Sequence, residues 1–151
     1  MSDTRFLIVE AVFYKDISAA LLEGATAALD AESIAYDKVS VPGVLELPAA
    51  ISYAMMAGRA ALAPRYDGYV ALGCVIRGET IHFDVVVRES ARALMDLSVT
   101  HHLSLGNGIV TVDTEAQAWA RARRGERDKG GEAARAAIAM MRLRHRMTGE
   151  K

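Results

Sequence analysis

One cysteine, Cys74, is the only thiol in this chain of 151 residues. No disulfide can form within the chain, and a lone thiol predicts a reducing, cytoplasmic setting. An excess of charge of one sign is missing too. Lys and Arg number 18 and Asp and Glu 19, for a formal net charge of −1, which excludes the global basic surface that nucleic acid or an anionic membrane requires. No stretch approaches the ~20 apolar residues that span a bilayer. The opening MSDTRFLIVE has no apolar run between a basic start and a small-residue cleavage site, so the expectation is a soluble, unexported protein. Metal-ligand spacings are absent: there is no CxxC or HxxxH, and the adjacent His101 and His102 tend to diverge, so no metal is expected. Neither GxGxxG nor GxxxxGK[ST] occurs, which removes the usual support for dinucleotide and nucleoside-triphosphate chemistry. Repeats, low-complexity tracts and linkers are also lacking.

The composition present, 52% hydrophobic and 25% charged, is that of an ordinary globular domain, and a single domain over 1–151 is expected. A chain of this length buries about 70% of its unfolded surface and needs neither disulfide nor metal to close a core. Arg5 to Glu10 reads as a strand, and Lys15 to Ala31 as a helix with Ile17, Leu21, Ala25 and Leu29 on one stripe. The cycle repeats with a strand at Tyr36 to Val41, a turn at Pro42 and Gly43, and a helix from Leu47 to about Met56 that Gly58 should end. After a short surface extension, Ala60 to Arg65, comes a strand from Gly68 to Cys74 and a loop from Val75 to Thr80. A helix follows from His82 to Ser98, with Val87, Ala91, Leu94 and Leu97 facing inward. The pattern ends with a strand at Gly106 to Val112, a helix at Thr114 to Arg123, and a helix at Glu132 to Arg146 with Ala134, Ala137, Ile138 and Met141 on one stripe. Strict alternation with apolar strands predicts an α/β fold: a three-layer α/β/α domain on a four-stranded parallel sheet. Ligands in such sheets sit beyond the carboxyl ends of the strands, so the segments that follow the strands are the ones to read.

After the first strand, Phe13 and Tyr14 stand where a crevice would open, although core is the reading that local sequence favours for Phe13. After the second, Glu46 is a lone carboxylate between Pro42 and Pro48. It suits either a helix N-terminus or a hydroxyl-bearing ligand. The third is followed by Gly73 to Asp84, where a glycine-containing loop enters a helix. Unpaired backbone N–H groups, the positive end of the helix dipole and the Thr80 hydroxyl make a natural phosphate site there. His82 lies in the first turn, where the dipole disfavours imidazolium, so it is expected neutral and able to accept and return a proton, unless it is only surface decoration. Cys74 closes a buried strand and fits an inert small hydrophobe better than a nucleophile. Between the last two helices, Arg121 to Gly131 concentrates cations. Such a run is solvated surface unless an anion has to be held nearby.

From Phe6 to about Arg146 the chain resembles the lumazine synthase family. The likeness rests on the Val-Pro-Gly-x-x-Glu-x-Pro turn at Val41 to Pro48, the Gly-x-Val-Ile-Arg-Gly-Glu-Thr-x-His-Phe-Asp block at Gly73 to Asp84, and the Gly-Asn-Gly-Ile-Val-Thr strand at Gly106 to Thr111 with its downstream Gln-Ala-Trp and Asp-Lys-Gly-Gly. The resemblance implies a flavodoxin-like fold and a transferase of riboflavin biosynthesis. It would join 5-amino-6-(D-ribitylamino)uracil to 3,4-dihydroxy-2-butanone 4-phosphate, releasing phosphate and water, without metal or organic cofactor.

By the same likeness, Phe13 stacks on the pyrimidine, Val44, Leu45 and Glu46 line the ribityl chain, and Cys74, Val75 and Ile76 meet the heterocycle through their backbone. Glu79 and Thr80 would take the phosphate and His82 would transfer protons, while Asn107, Arg121 and Lys129 would complete the pocket from a neighbouring subunit. The implied assembly is a homopentamer, the unit from which some relatives build higher assemblies, with riboflavin synthase as pathway neighbour. Shell-forming relatives carry Gly-x-Lys-x-Gly-Asn before the last helix. Here the stretch is Arg124-Gly125-Glu126-Arg127-Asp128, so no shell is expected. Two further positions depart from the family pattern, Val12 in place of arginine and Arg88 in place of asparagine, and neither removes a matched catalytic group. The competing expectation is a weakly active paralogue that binds flavins or ribityl compounds or builds shells. A pure binder needs neither the proton carrier His82 nor the phosphate cation Arg121.

Overall fold

A computed structural model describes residues 3–150. Strands β1 (Arg5–Ala11), β2 (Ala35–Val41), β3 (Gly68–Ile76) and β4 (Leu105–Val112) alternate with helices α1 (Lys15–Ala31), α2 (Leu47–Arg59), α3 (His82–His101), α4 (Glu115–Ala122) and α5 (Lys129–Thr148). The strands form one parallel sheet in the order β2-β1-β3-β4. Helices cover both faces, as the alternation predicts: α1, α4 and α5 share a core with Phe6, Ile8, Val70, Leu72 and Val110, and α2 and α3 share another with Leu7, Val9, Tyr69 and Ala71. This is the expected three-layer α/β/α arrangement.

The central pair β1 and β3 is buried on both faces from Phe6 to Ala11 and from Gly68 to Cys74, which explains why those strands read as continuous apolar runs. β2 does not fit that description. It lies at the sheet edge with Lys38 and Ser40 exposed, so its polar side chains meet water while its backbone still pairs with β1. Lys38 (3.0 Å) and the Ser40 hydroxyl (2.8 Å) both engage Glu10, whose carboxylate is buried in β1. At the amino end of the sheet, Asp37 accepts from Arg5 at 2.6 Å and from the Tyr66 hydroxyl at 2.7 Å. That tie fastens the segment before β3 to the edge strand.

Several boundaries move for packing reasons. β3 continues through Val75 and Ile76, because β4 extends opposite them with Val75 facing Thr111 and Ile76 facing Val112. Gly58 does not stop α2: the helix runs to Arg59, and Ala61, at φ 57°, makes the left-handed turn that ends it. In α3 the inward face is Val86, Ser90 and Leu94, and Ala91 is exposed. A serine is tolerated inside because its hydroxyl returns a hydrogen bond to the Val86 carbonyl at 2.6 Å.

α5 begins at Lys129, three residues before the expected start. Asp128 caps it, its carboxylate accepting from the Gly131 N–H at 3.2 Å. The two glycines then let α5 lie against its neighbours: a Cβ on Gly130 would strike the Leu21 carbonyl of α1, and one on Gly106 in β4 would strike the Ala133 carbonyl of α5. The Asp-Lys-Gly-Gly motif is therefore a close-packing device that fixes where Lys129 stands. Gly106→Ala should force α5 off β4 and cost about 2–3 kcal/mol of stability. The loss would be read as a lowered urea midpoint, and an unchanged midpoint would show that this contact carries no constraint.

Candidate active site

β1 sends its connection to β2 on one side and β3 lies on the other, so the chain departs in opposite directions at their carboxyl ends and a crevice opens there. Its volume is about 410 Å³, and the loops after β1, β2 and β3 build its wall. From the first comes Phe13, 74% exposed, with its ring edge-on to Tyr14 at 4.9 Å. That exposure rules out the reading of Phe13 as core and leaves an aromatic face open at the mouth of the crevice. The Val12 backbone is tied to the Val41 carbonyl at 3.0 Å, so the first two loops are joined.

The second loop contributes one 3₁₀ turn, Val44–Glu46. Val44 is buried, while Leu45 and Glu46 are exposed along the wall. Glu46 sits at the N-cap of α2 but makes no side-chain capping hydrogen bond. Its carboxylate instead lies over Gly43, with Oε1 3.1 Å from where a Cβ would stand. A carboxylate facing a crevice and unused by its helix is available to accept hydroxyl hydrogen bonds.

Cys74, Val75 and Ile76 form the floor as the last residues of β3. The Cys74 side chain is almost fully buried, and burial pushes its thiol up to about 11, which makes it an inert apolar group as expected. Beyond it, Arg77 to Ile81 is exposed, and nothing packs on Gly78. The N-terminus of α3 has no side-chain cap. The Thr80 hydroxyl approaches its first turn, accepting from the His82 N–H at 3.3 Å. Orphan N–H groups, a hydroxyl and a helix N-terminus together favour an anion. His82 follows at once, exposed on the same wall as Thr80 and Phe83. Glu79 lies outside that wall and adds no side chain to it.

Among the described residues, no lysine or arginine lines this crevice. Asn107, Arg121 and Lys129 are not brought to it within one chain. Arg121 and Lys129 converge instead on a second hollow, about 230 Å³, walled by Ile109, Val110, Thr111, Arg127 and Glu132. Asn107 lies exposed two residues before it on β4, its side-chain oxygen accepting from the Ile109 N–H at 3.0 Å. Lys129 is paired with Glu132 at 3.3 Å. Arg121 donates to the Gln117 carbonyl at 3.2 Å, and among the described residues no carboxylate is paired with it or with Arg127. By contrast, Arg123 is taken up by Glu126 and the Trp119 ring.

Sequence reasoning placed Tyr14 and the Gly78 loop at the crevice but missed Gly43, Phe83 and Val86 in its wall and Arg127 in the hollow. The first three adjoin residues that were singled out, so a wider window would have caught them. For Arg127 the cation run was visible, but which of its members a carboxylate neutralises is a matter of folding.

The architecture and site define an α/β domain with an apolar crevice that presents a free carboxylate and a helix N-terminus, and with a separate cationic hollow elsewhere on its surface. Residues 3–145 match the family model of 6,7-dimethyl-8-ribityllumazine synthase. Proteins of that name resemble the chain over almost its whole length. The one from Nitrobacter hamburgensis is 60% identical over 147 residues, 97% of this chain and 90% of its own. The Agrobacterium fabrum protein is 56% identical over 149 residues, 99% and 100% of the two. A Rhizobium meliloti relative, named 6,7-dimethyl-8-ribityllumazine synthase 1, is 61% identical over 147 residues, 97% and 95%. The chain belongs to the 6,7-dimethyl-8-ribityllumazine synthase family.

The buried thiol gives a check on the floor of the crevice. With its ionisation raised from 9.0 to about 11, Cys74 holds about a hundredfold less thiolate than an ordinary cysteine below pH 9. Iodoacetamide should therefore label it about a hundredfold more slowly in native protein than in urea. Equal rates would place Cys74 at an open surface.

Proposed function

We infer that the chain condenses 5-amino-6-(D-ribitylamino)uracil with 3,4-dihydroxy-2-butanone 4-phosphate to 6,7-dimethyl-8-ribityllumazine, and that each active site is completed by a neighbouring copy in a cytoplasmic homopentamer. The observation that carries the reading is the separation of chemistry within one chain. Among the described residues the crevice is lined by a ring, a carboxylate, an anion loop and a histidine but no cation, and the cationic hollow is lined by neither a ring nor a histidine.

The pyrimidine stacks on Phe13 over the floor made by Cys74, Val75 and Ile76, and its ribityl hydroxyls reach Val44, Leu45 and Glu46. The butanone phosphate is held by backbone N–H groups at Glu79 and Thr80 and by the Thr80 hydroxyl. Arg121 of the neighbouring copy supplies the charge-assisted contact, with Lys129 and Asn107 beside it. The amine attacks the ketone and water leaves to give an imine. Phosphate is then eliminated and the ring closes on the second nitrogen. Each step needs a proton moved and two substrates held together rather than a strong nucleophile. His82, next to the anion loop, is the group placed to move protons.

A ring is supported by surfaces that one copy leaves uncovered. Asn107 and Thr111 are exposed on β4, beside Leu105 and Ile109, which pack partly against the α2 and α3 core, and α2 and α3 expose Tyr53, Met56, Val85, Met95 and Val99. One heterologous interface used repeatedly closes a ring without a second kind of contact. The charged Arg124 to Asp128 stretch disfavours packing of ring on ring, so the pentamer does not build a shell.

Following lumazine fluorescence with both substrates tests the reaction directly, and absence of product would refute it. Arg121→Ala should raise the KM for the butanone phosphate far more than that for the pyrimidine, by about tenfold against little change; equal losses would remove its phosphate role. His82→Ala should slow turnover by roughly ten- to a thousandfold with pyrimidine affinity nearly intact. An unaltered rate would leave His82 as surface decoration.

A further inference from the structure

Arg77 is the one arginine in the loop that joins β3 to α3, and it neither lines the crevice nor faces the cationic hollow. Its contacts run elsewhere. The Nε donates to Asp113 Oδ1 at 2.7 Å, the guanidinium lies 4.4 Å from the centroid of the Phe83 ring, and its backbone N–H is held by the Val112 carbonyl at 2.9 Å. Asp113 is itself anchored, because its N–H donates to the Gln117 side chain at 2.9 Å, within the capping box that Thr114 and Gln117 build at the start of α4. Phe83 sits in the first turn of α3 beside His82 and lines the crevice. The side chain of Arg77 thus bridges the end of β4 to the first turn of α3, across the base of a loop that has almost no packing of its own: a Cβ on Gly78 would meet open space, and Gly78, Glu79, Thr80 and Ile81 are exposed.

We propose that Arg77 is a positioning residue: held by Asp113 and stacked on Phe83, it fixes Gly78–Thr80 and the start of α3 in the geometry that receives the phosphate, without touching the substrate. Both partners of the ion pair are more than half exposed, so the pair adds little to global stability. Its value lies in geometry, since small displacements of a binding loop cost affinity steeply. The guanidinium makes the planar stack and the directed Nε bond together, which a lysine ammonium cannot do. Asp113 also occupies its charge, which is why the phosphate still requires a cation from the neighbouring copy.

The inference rests on the proposed use of this loop as the phosphate site, and the variants are chosen to separate the two. Steady-state kinetics on the assembled protein would compare Arg77→Ala, Arg77→Lys, Asp113→Asn, the Arg77→Ala/Asp113→Asn double variant and Thr80→Ala. Arg77→Ala and Asp113→Asn should each raise the KM for the butanone phosphate about tenfold and that for the pyrimidine less than about twofold. Their melting temperatures should stay within about 2 °C of the parent. The double variant should be no worse than either single one, because both remove the same strut. Arg77→Lys should recover only part of the loss. If Asp113→Asn leaves the phosphate KM unchanged while Arg77→Ala raises it, Arg77 touches the phosphate itself and the positioning role is wrong. Equal losses for both substrates with a lowered melting temperature would make the pair merely structural and would also overturn it. Should Thr80→Ala leave the phosphate KM unaltered, the loop is not the phosphate site and the inference falls with that reading. If Thr80→Ala raises it and Arg77→Ala does not, only the positioning role is refuted.

Discussion

The adjacency of β1 and β3 is the constraint on which the site depends. These strands run parallel and in register from Phe6 opposite Gly68 to Glu10 opposite Leu72, and helices bury both of their faces. The fit is tight at its start, where a Cβ on Gly68 would enter the ring of Phe6. Because β2 lies outside β1 and β4 outside β3, the connections leave this pair toward opposite edges and cannot fill the space above it. The crevice is what remains. Phe13, Cys74 and Thr80 meet there although they are far apart in the chain, and each follows or ends a strand whose position the central pair dictates.

Electrostatics then divide the work. A phosphate dianion is held well by N–H groups at a helix start, but full affinity calls for a cation as well. The only arginine of the anion loop is already committed to Asp113. Arg121 and Arg127, which pair with no carboxylate among the described residues, stand over β4, at the far edge of the sheet. Their placement follows from packing: α5 is drawn onto β4 and α1 by glycines that leave no room for a methyl group, and the turn before it carries Arg127 and Lys129 with it. Within one chain the crevice and the cationic hollow are therefore separate, and in the proposed ring neighbouring copies would join them.

Much of this was legible in the sequence. The apolar runs of β1 and β3, the four-residue stripe of Ile17, Leu21, Ala25 and Leu29, and the glycine-containing entry into α3 each have one structural solution. Less legible was whatever depends on sheet position. β2 is polar because it is an edge, and its sequence alone does not say so. β3 outruns its apolar core because β4 extends to meet Val75 and Ile76. Phe13 reads as core in any local window, since only the fold reveals that nothing packs over it. Asp-Lys-Gly-Gly reads as a loop until the backbones of α1 and β4 are seen pressing on α5. Among the expected site residues, those that end or follow β1, β2 and β3 line one crevice, Glu79 excepted. The distance of Asn107, Arg121 and Lys129 from them is a property of the single chain that no spacing encodes.

The central claim is that a complete site takes its proton carrier and its phosphate cation from different chains. Co-expression of His82→Ala chains with Arg121→Ala chains tests it most directly. If sites form between neighbours, mixed rings contain some interfaces with both residues intact, and lumazine formation should recover to about a quarter of the parent rate at equal mixing. Activity no higher than the sum of the two variants expressed separately would mean that both residues act within one chain, and would contradict the account.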